Sequence, residues 1–406
     1  MTHGVLLCYR KVATRMFNTV YFNPFYISAF VWNLAHGMGG VLVPLYALHL
    51  GMSGVAIGSL VALPVILQVL FNLLGGVYVD RLGAKNIMIG SSLVFMLGNA
   101  VYSFSGGFAG MIMAQCLYVL ARATFWPAAY ALGSRLPGER NRNLGWLNST
   151  TNAGQIGGTA LAGILIGLFG FQICFWIGVC TLLVAFLLGF FIGETRGTRP
   201  AAEQPGILLT YRNLARVPAM YFAMACGYLS VLPFTLSGSF YPILLVGEGF
   251  STQVTGWLLT LRAFGSILAG IGLTRTVRTP TGLAVPVWCS LVIAIAIVTS
   301  ALSDRIWIIG ISIFFFGMAS GLASIYFQLF ISAVSADRDR GAAMSFGGLG
   351  WQVSNISTPL LMGFLMDGIG LREAFYIIGG SLLALTALLP ALHRWGLAGR
   401  TFTDSR

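Results

Sequence analysis

The stretch that decides the fold is Gly76-Val-Tyr-Val-Asp-Arg-Leu-Gly-Ala-Lys85. It joins two apolar runs at roughly 56–79 and 86–103, and each run is close to the ~20 residues that an α-helix needs to cross a bilayer. A connection this short can only turn the chain straight back. The stretch therefore predicts two adjacent membrane-spanning helices joined by a tight, charged turn.

The polar positions of this turn carry a recognisable order. Gly76 lets two helices approach closely, and Gly83 gives the backbone freedom that a tight turn needs. Asp80, Arg81 and Lys85 place one acid and two bases at the helix ends. The motif resembles the signature loop between helices two and three of the major facilitator superfamily of transporters. That resemblance implies a gating role for all five residues, whereas a purely topogenic role for the two bases is the simpler alternative.

The composition points to lipid as the solvent of the chain. Of 406 residues, 57% are hydrophobic and only 8% are charged, whereas soluble domains carry about 25% charged residues. No small-residue cleavage site closes the first apolar run, so the first helix is expected to remain as an anchor. The resemblance implies an all-α membrane protein of twelve transmembrane helices, arranged as two pseudo-symmetric six-helix bundles.

The formal net charge of +12 takes its meaning from where the basic residues lie. Most arginines and lysines of the predicted loops fall in every second loop, and the intervening loops hold only Arg305 and Arg372. This asymmetry follows the positive-inside rule and places both termini in the cytoplasm, which fits a bacterial inner membrane. A surface for nucleic acid would cluster its bases on one domain, so no nucleic-acid partner is expected.

The six cysteines lie mostly inside apolar runs, and no two of them form a CxxC pair. Buried cysteine behaves as a small hydrophobic residue. The pattern indicates neither a disulfide framework nor a zinc site, so no metal and no cofactor are expected.

The longest internal polar stretch divides the chain near its midpoint. It predicts an N-terminal six-helix half at 1–194, a cytoplasmic linker at 195–216 and a C-terminal six-helix half at 217–406. The predicted spans, each near the ~20 residues of a membrane crossing, lie at roughly 24–49, 56–79, 86–104, 109–134, 143–168, 172–193, 217–246, 252–275, 281–302, 305–334, 342–366 and 371–393.

The two halves read as repeats of one another. Residues 125–177 match 325–377 at an offset of 200, and residues 44–60 match 242–258 at an offset of 198. The matched positions include turn residues and acid–base pairs: Gly51 with Gly249, Ser53 with Ser251, Gly170 with Gly370, and Glu139-Arg140 with Asp339-Arg340. Such a repeat is typical of transporters built from two six-helix halves. The second signature loop is degraded, because Arg278 stands where the first half has Asp80.

The charges inside the spans are the main signal for a binding site. All eleven acids fall at loops or span ends, whereas Arg122 and Arg262 lie within predicted spans. An ionisable residue inside the membrane marks a functional site by default. Guanidinium groups bind carboxylate or phosphate with two hydrogen bonds, so an anionic or zwitterionic solute is predicted. The alternatives are that Arg122 binds helix carbonyls or amides and that Arg262 extends towards a span end.

Five further polar or aromatic residues complete the predicted solute site. His36 lies mid-span and titrates near neutrality, so it is either a proton carrier or a neutral hydrogen-bonding group between helices. Asn33 lies one turn earlier on a similar face. Trp126, Tyr326 and Gln352 are predicted to line an amphipathic cavity wall, and packing between helices or against lipid is the competing interpretation.

Within the fifth predicted span, residues 148–163 are rich in glycine. It resembles the span-five motif of the superfamily's antiporters, although Gln155 replaces the family proline. Close helix packing through small residues explains the same pattern without any transport role.

Taken together, these features predict a secondary transporter of a small organic solute, with export slightly favoured over import. The resemblance implies alternating access, in which two halves rock around a central site. A monomer in the lipid bilayer is expected, with protons as a candidate coupling ion. Exchange or facilitated diffusion of organic anions, and a receptor that kept the fold but lost transport, remain alternatives. No metal cluster, nucleophile–base set or phosphate loop appears, so no enzyme is predicted.

Overall fold

The computed structural model describes residues 23–193, 207–273, 277, 279, 281–335 and 340–397, and within these ranges the side chains of residues 72–81, 207–210, 271, 273, 340 and 341 are outside the description. The described backbone consists of helices joined by short turns and contains no strand. In lipid every backbone N–H and C=O needs a partner within the protein, and an α-helix supplies these partners locally. The all-α prediction is confirmed.

The helices are numbered in chain order. They are α1 Pro24–His49, α2 Gly54–Leu82, α3 Ala84–Phe104, α4 Phe108–Arg135, α5 Arg140–Phe190, α6 Ile207–Leu214, α7 Pro218–Ser237, α8 Tyr241–Gly247, α9 Thr252–Leu268, α10 Ala284–Leu302, α11 Ile306–Val334, α12 Arg340–Gly347, α13 Leu349–Ile369 and α14 Leu371–Leu397. A single π turn, Ala269–Leu273, extends α9.

Nine of the described helices are long and apolar enough to cross a membrane. One of them, α5, consists of two helices joined at Gly170, where the backbone adopts φ 76°. The helices α9 and α13 correspond to two further predicted spans but are not among the nine. The number twelve therefore stays a prediction.

Two predicted spans are interrupted. The span predicted at 217–246 ends as α7 at Ser237 and resumes as α8 at Tyr241, with Pro242 in the first turn of α8. Proline is well placed in the first helical turn because its missing N–H has no partner there anyway. The span predicted at 342–366 likewise begins with α12 and continues as α13.

The repeat predicted from the sequence has matching local geometry in its two copies. Gly51 adopts φ 71° and Gly249 adopts φ 86°, a region that is open to glycine but strained for other residues. Two residues later, Ser53 accepts a hydrogen bond from a backbone N–H at 3.2 Å, and Ser251 accepts the equivalent bond at 3.3 Å. Each serine therefore caps the helix that follows it.

The contacts divide the chain into two compact units. Unit 1 comprises Met1–Leu42 with Ile66–Thr198, and unit 2 comprises Val43–Val65 with Arg199–Arg406. The predicted linker at 195–216 lies partly outside the described residues, and α6 is a described part of it. The predicted boundaries of the halves stay a prediction.

In unit 1, glycines bring α1 and α5 into direct backbone contact. A Cβ atom on Gly154 would overlap the carbonyl oxygen of Phe30, and one on Gly158 would overlap that of Leu34. A Cβ atom on Gly37 would likewise overlap the carbonyl oxygen of Gln155. Small residues that let backbones approach are the usual basis of helix packing in membranes. This geometry supports the packing interpretation of the glycine-rich fifth span.

In unit 2, the same kind of seam joins α9 to α11. A Cβ atom on Gly265 would overlap the carbonyl oxygen of Phe314. Gly317 packs in this way against the carbonyl of Arg262, and Gly321 against that of Ser266. The backbone of the buried arginine is therefore fixed by the neighbouring helix.

Candidate functional site

A hydrogen-bonded cluster in unit 1 joins α1 to α4. The Tyr118 hydroxyl lies 2.8 Å from Nδ1 of His36, and the two rings stack with centroids 5.6 Å apart. The Arg122 guanidinium lies beside the same hydroxyl and close enough to act electrostatically on His36. His36 is 9% exposed, whereas Arg122 is half-buried. The structure therefore brings two of the predicted site residues together through Tyr118.

An aromatic layer built around Trp32 supports this cluster. The Trp32 ring stacks on Phe125 with centroids 4.0 Å apart and packs against Phe95 at 5.1 Å. It also packs against His36 at 5.8 Å. Its indole Nε1 is buried and has no hydrogen-bond partner among the described residues. The layer fixes the imidazole and adds an unused donor close to it.

Trp126 lies next to this layer on α4. Its ring meets Phe125 edge-on at 5.5 Å and Tyr130 at 5.7 Å, and the side chain is half-buried. The amide of Asn33 is not part of this layer. Its Nδ2 donates to the Ala29 carbonyl oxygen at 2.9 Å. Its Cβ faces Gly154 at the seam with α5.

Arg262 is the corresponding buried cation of unit 2. The residue is 9% exposed, and its Cζ atom lies 5.6 Å from the centroid of the Phe234 ring. A cation over an aromatic face gains about 0.5–2 kcal/mol, depending on desolvation. The Nε atom is buried and has no hydrogen-bond partner within the part of the chain that the structure describes. The side chain therefore faces the protein interior rather than lipid.

Neither arginine is neutralised by a described carboxylate. Arg372 forms ion pairs with Glu248 and with Asp304, at the turns that join helices of unit 2. Asp367 is used differently, since its two oxygens accept the N–H groups of Gly54 at 2.6 Å and of Val55 at 2.8 Å. The described acids thus serve loops and helix ends, as the sequence predicts.

Tyr326 is buried in unit 2, and Gln352 is half-buried there. The Tyr326 ring stacks on Phe330 at 5.9 Å, and its hydroxyl has no partner in the described parts of the chain. The buried Oε1 of Gln352 also has no hydrogen-bond partner among the described residues. The neighbouring Trp351 donates from Nε1 to the Ser230 hydroxyl at 2.9 Å. No hydrogen bond or ring contact between described residues joins either side chain to the buried arginine of α9.

Part of the predicted gating turn is described. Gly83 alone separates α2 from α3 and adopts φ 82°, which glycine tolerates best. Lys85 donates from Nζ to the carbonyl oxygen of Phe190 at 2.8 Å, at the end of α5. A cation is favourable at a helix C-terminus because the macrodipole is negative there. Gly76, Asp80 and Arg81 belong to the α2 backbone, and their side chains lie outside the described residues. Their gating role stays a prediction.

Two components of the unit 1 cluster, Tyr118 and Trp32, are absent from the predicted site. Tyr118 lies four residues before Arg122 on α4, so the two side chains share one face. That spacing was available in the sequence as a signal. Trp32 likewise lies four residues before His36 on α1, so these two side chains also share one face. Its orphaned indole N–H is visible only once the packing around it is known.

The fold and the site define a class: an all-α, multi-pass membrane protein with one buried and one half-buried arginine inside its apolar helices. The model of the Major Facilitator Superfamily matches residues 25–279 and 223–398, so the chain belongs to that superfamily. It is a membrane transport protein and not an enzyme. The family suggested by the signature loop is confirmed.

Curated relatives include transport and resistance proteins. The quinolone resistance protein NorA of Staphylococcus aureus is 21% identical over 91% of this chain and 96% of its own length. The cis,cis-muconate transport protein of Acinetobacter baylyi is 22% identical over 79% of this chain and 81% of its own. The 3-(3-hydroxy-phenyl)propionate transporter of Escherichia coli is 28% identical but aligns over 49% of this chain and 51% of its own.

Solved structures share the fold. A bacterial homolog of the human lysosomal transporter Spinster matches with a TM-score of 0.76 at 15% identity, covering 95% of this chain and 98% of that chain. The nucleoside transporter NupG matches with a TM-score of 0.73 at 15% identity, covering 91% and 98%. At these identities the likeness concerns architecture alone.

Proposed function

We propose that this protein is a secondary transporter of small organic anions, specifically carboxylates with a partly apolar body, and that it works by alternating access. The observation that carries the proposal is the half-buried Arg122 guanidinium, which lies beside the Tyr118 hydroxyl and has no carboxylate partner among the described residues. A bacterial inner membrane is the proposed location.

The electrostatics favour an anion at this position. A charge withdrawn from water is costly unless it is paired, and the described neighbours of Arg122 are the Tyr118 hydroxyl and the His36 imidazole. A carboxylate accepts two N–H bonds from one guanidinium, which gives both energy and orientation. The unused indole N–H of Trp32 lies in the same cluster.

Arg262 is proposed as the second anion-binding group. Its Nε retains an unused donor, and the glycine seam holds its backbone in place. Trp126, Tyr326 and Gln352 are proposed to contact the apolar and polar parts of the solute. Asn33 is proposed as a solute contact on weaker grounds, because its amide already bonds within α1.

The relatives support the same substrate class. Two of them are named as transporters of 3-(3-hydroxy-phenyl)propionate and of cis,cis-muconate, and both solutes are organic carboxylates. A second candidate function is export of amphipathic compounds, which the near-complete alignment with a quinolone resistance protein favours. Transport assays with the gradient imposed in each direction separate the two. A receptor without transport activity would show binding and no flux.

The test uses purified protein with 3-(3-hydroxyphenyl)propionate and cis,cis-muconate as probes, followed by thermal shift and by uptake into proteoliposomes. Arg122→Ala and Arg262→Ala should each weaken binding about 10- to 100-fold, because a hydrogen bond to a charged group contributes about 1.5–3 kcal/mol. The exposed Arg305→Ala is the matched control and should bind normally. Arg122→Lys keeps the charge without the planar fork and should restore binding only in part. Normal binding by both alanine variants would refute the proposal.

A further inference from the structure

The junction between the start of α7 and the end of α14 carries an exposed aromatic pair. Tyr221 is 40% exposed and Trp395 is 51% exposed, and their ring centroids lie 5.6 Å apart. The Tyr221 hydroxyl donates to the carbonyl oxygen of Ala215 at 2.9 Å, which ties the segment before α7 to the pair. Exposed tyrosine and tryptophan at the ends of membrane-spanning helices are typical of the headgroup level of a bilayer. The pair therefore places this junction at a membrane–water interface, on the side predicted to be cytoplasmic.

Three exposed arginines accompany the aromatic pair. Arg394 directly precedes Trp395 on α14, and Arg216 directly follows the alanine that Tyr221 contacts. Arg212 lies in the last turn of α6, four residues before Arg216. No aspartate or glutamate lies within eight positions of any of the three in the sequence, and within the described ranges none of them pairs with a carboxylate. The junction is therefore a positive patch without a local counter-charge.

Backbone and ring contacts hold this patch together. A Cβ atom on Gly396 would meet Ala219 at 3.3 Å and the carbonyl oxygen of Pro218 at 3.5 Å, so the end of α14 lies against the first turn of α7. The helix α6 is anchored as well, because the Tyr211 ring packs against that of Phe346 on α12 with centroids 6.0 Å apart. The positive charges of three helix ends are therefore kept close to one another within unit 2.

A groove continues from this junction along α7 towards the middle of the membrane. It has a volume of about 400 Å³ and lies between α7, α13 and α14. Its α7 wall begins one turn after Tyr221, on the same helical face, and consists of Met224, Ala225, Tyr228 and Leu232. At 1.5 Å per residue, the distance along the helix from Tyr221 to Leu232 is about 16 Å. One leaflet of a hydrocarbon core about 30 Å thick is about 15 Å deep, so the groove has the reach of an acyl chain in one leaflet.

The groove offers carbon surface rather than hydrogen bonds. Two hydroxyl groups lie in its wall, and both are already engaged. The Tyr228 hydroxyl lies 3.3 Å from Oγ1 of Thr358, and Ser381 donates to the Ile378 carbonyl oxygen at 2.8 Å. Leu361, another wall residue, is exposed, so the groove is open to the surroundings of the helices. A polar solute gains little from such a wall, whereas a hydrocarbon chain fits it.

We propose that this junction binds one anionic phospholipid, with its phosphate held by Arg216 and Arg394 and one acyl chain lying in the groove between α7, α13 and α14. A guanidinium binds phosphate with two hydrogen bonds, and Arg212 adds to the positive potential. The aromatic pair lies where the glycerol and headgroup region of the lipid belongs. The bound lipid contacts three helices of unit 2 and should stabilise their packing. This site does not depend on which solute the protein transports.

The first test compares two lipids that differ in the headgroup alone. Native mass spectrometry of the purified protein in detergent measures binding of dioleoyl phosphatidylglycerol, which is anionic, and of dioleoyl phosphatidylcholine, which is zwitterionic. The unaltered protein should bind phosphatidylglycerol more tightly. Arg216→Gln combined with Arg394→Gln should weaken that binding about 30-fold, because each basic residue near an anionic headgroup contributes about fivefold. Binding of phosphatidylcholine should change little.

The matched control removes two arginines elsewhere. Arg140→Gln combined with Arg142→Gln takes two exposed charges from unit 1, on the side predicted to be cytoplasmic. This variant should bind phosphatidylglycerol like the unaltered protein. Equal binding of the two lipids by the unaltered protein would overturn the proposal. Normal binding of phosphatidylglycerol by the Arg216 and Arg394 variant would overturn it as well.

The second test concerns the acyl chain and is read as thermal unfolding in detergent. Dioleoyl phosphatidylglycerol should raise the Tm of the unaltered protein, whereas inorganic phosphate at the same concentration should not. Ala225→Phe fills the groove and should lose most of this protection. Ala387→Phe makes the same change at an exposed position of α14 outside the groove wall and should keep it.

A short-chain lipid tests the groove without any substitution, in case Ala225→Phe does not fold. Dihexanoyl phosphatidylglycerol has the same headgroup and should protect much less than the dioleoyl lipid. Equal protection by the short-chain lipid, or by inorganic phosphate, would reveal an anion site without a chain groove and would refute the lipid assignment. Equal protection of a folded Ala225→Phe and of Ala387→Phe would refute the groove as the chain site.

Discussion

Gly317→Ala should displace the buried arginine of unit 2 without touching its side chain. A Cβ atom at position 317 would overlap the carbonyl oxygen of Arg262 on the facing helix α9. Gly310 lies two turns earlier on the same helix α11. A Cβ atom there would meet Leu258 at 3.6 Å, which is an ordinary contact. Gly310→Ala is therefore a matched control for the same chemical change.

The magnitude follows from the clash. The two backbones must separate by about 1 Å or more to restore a C···O distance of about 3.3 Å. Overpacking of this kind costs about 1–3 kcal/mol. Both variants gain the same helix propensity, up to about 1 kcal/mol, so the difference between them isolates the clash. Because 1 kcal/mol shifts Tm by about 2–4 °C for a unit of roughly 150–250 residues, the Tm of Gly317→Ala should be about 2–12 °C lower than that of Gly310→Ala.

The assay is thermal unfolding in detergent followed by binding of 3-(3-hydroxyphenyl)propionate. Gly317→Ala should lower both the Tm and the affinity, because the guanidinium moves with its backbone. Gly310→Ala should keep the affinity and match or exceed the Tm of the unaltered protein. Equal Tm and equal affinity in the two variants would show that the seam does not position Arg262.

The remaining predictions concern helix ends. Asp367→Asn should lower the free energy of unfolding by about 1–2 kcal/mol, because one of two helix-capping bonds and the favourable negative charge at the N-terminus of α2 are lost. Asp304→Asn, at an exposed ion pair, should cost less than about 1 kcal/mol, and an equal Tm loss in both variants would contradict the capping role. Ser53→Ala and Ser251→Ala should each cost about 0.5–2 kcal/mol by the same loss of a cap, and a change in only one of them would contradict the equivalence of the two repeats.

Much of the fold was predictable because turns and hydrophobic length are encoded locally. Glycines matched by the repeat, such as Gly170 with Gly370, adopt positive φ at both positions, 76° and 105°. The break between Ser237 and Tyr241 was missed, because apolar length alone does not separate one long helix from two short ones. Gly238 and Pro242 were the local signals of that break.

The site was harder to predict than the fold. Arg122 and Arg262 stand out because a charge inside an apolar run is rare. The partner of each depends on how its helix is rotated about its own axis, and a helix that is apolar all round carries little information about that rotation. Tyr118 could therefore be placed beside Arg122 by spacing, whereas its bond to His36 across two helices required the structure.

The glycine seams have a consequence for movement. At these glycines backbone atoms touch backbone atoms, so the paired helices cannot slide past one another by a change of side-chain rotamer alone. Each pair should therefore move as one rigid body. Flexing during a transport cycle should then concentrate where regular helical bonding is interrupted, at Gly170 within α5, at the turn between Ser237 and Tyr241, and at the π turn Ala269–Leu273.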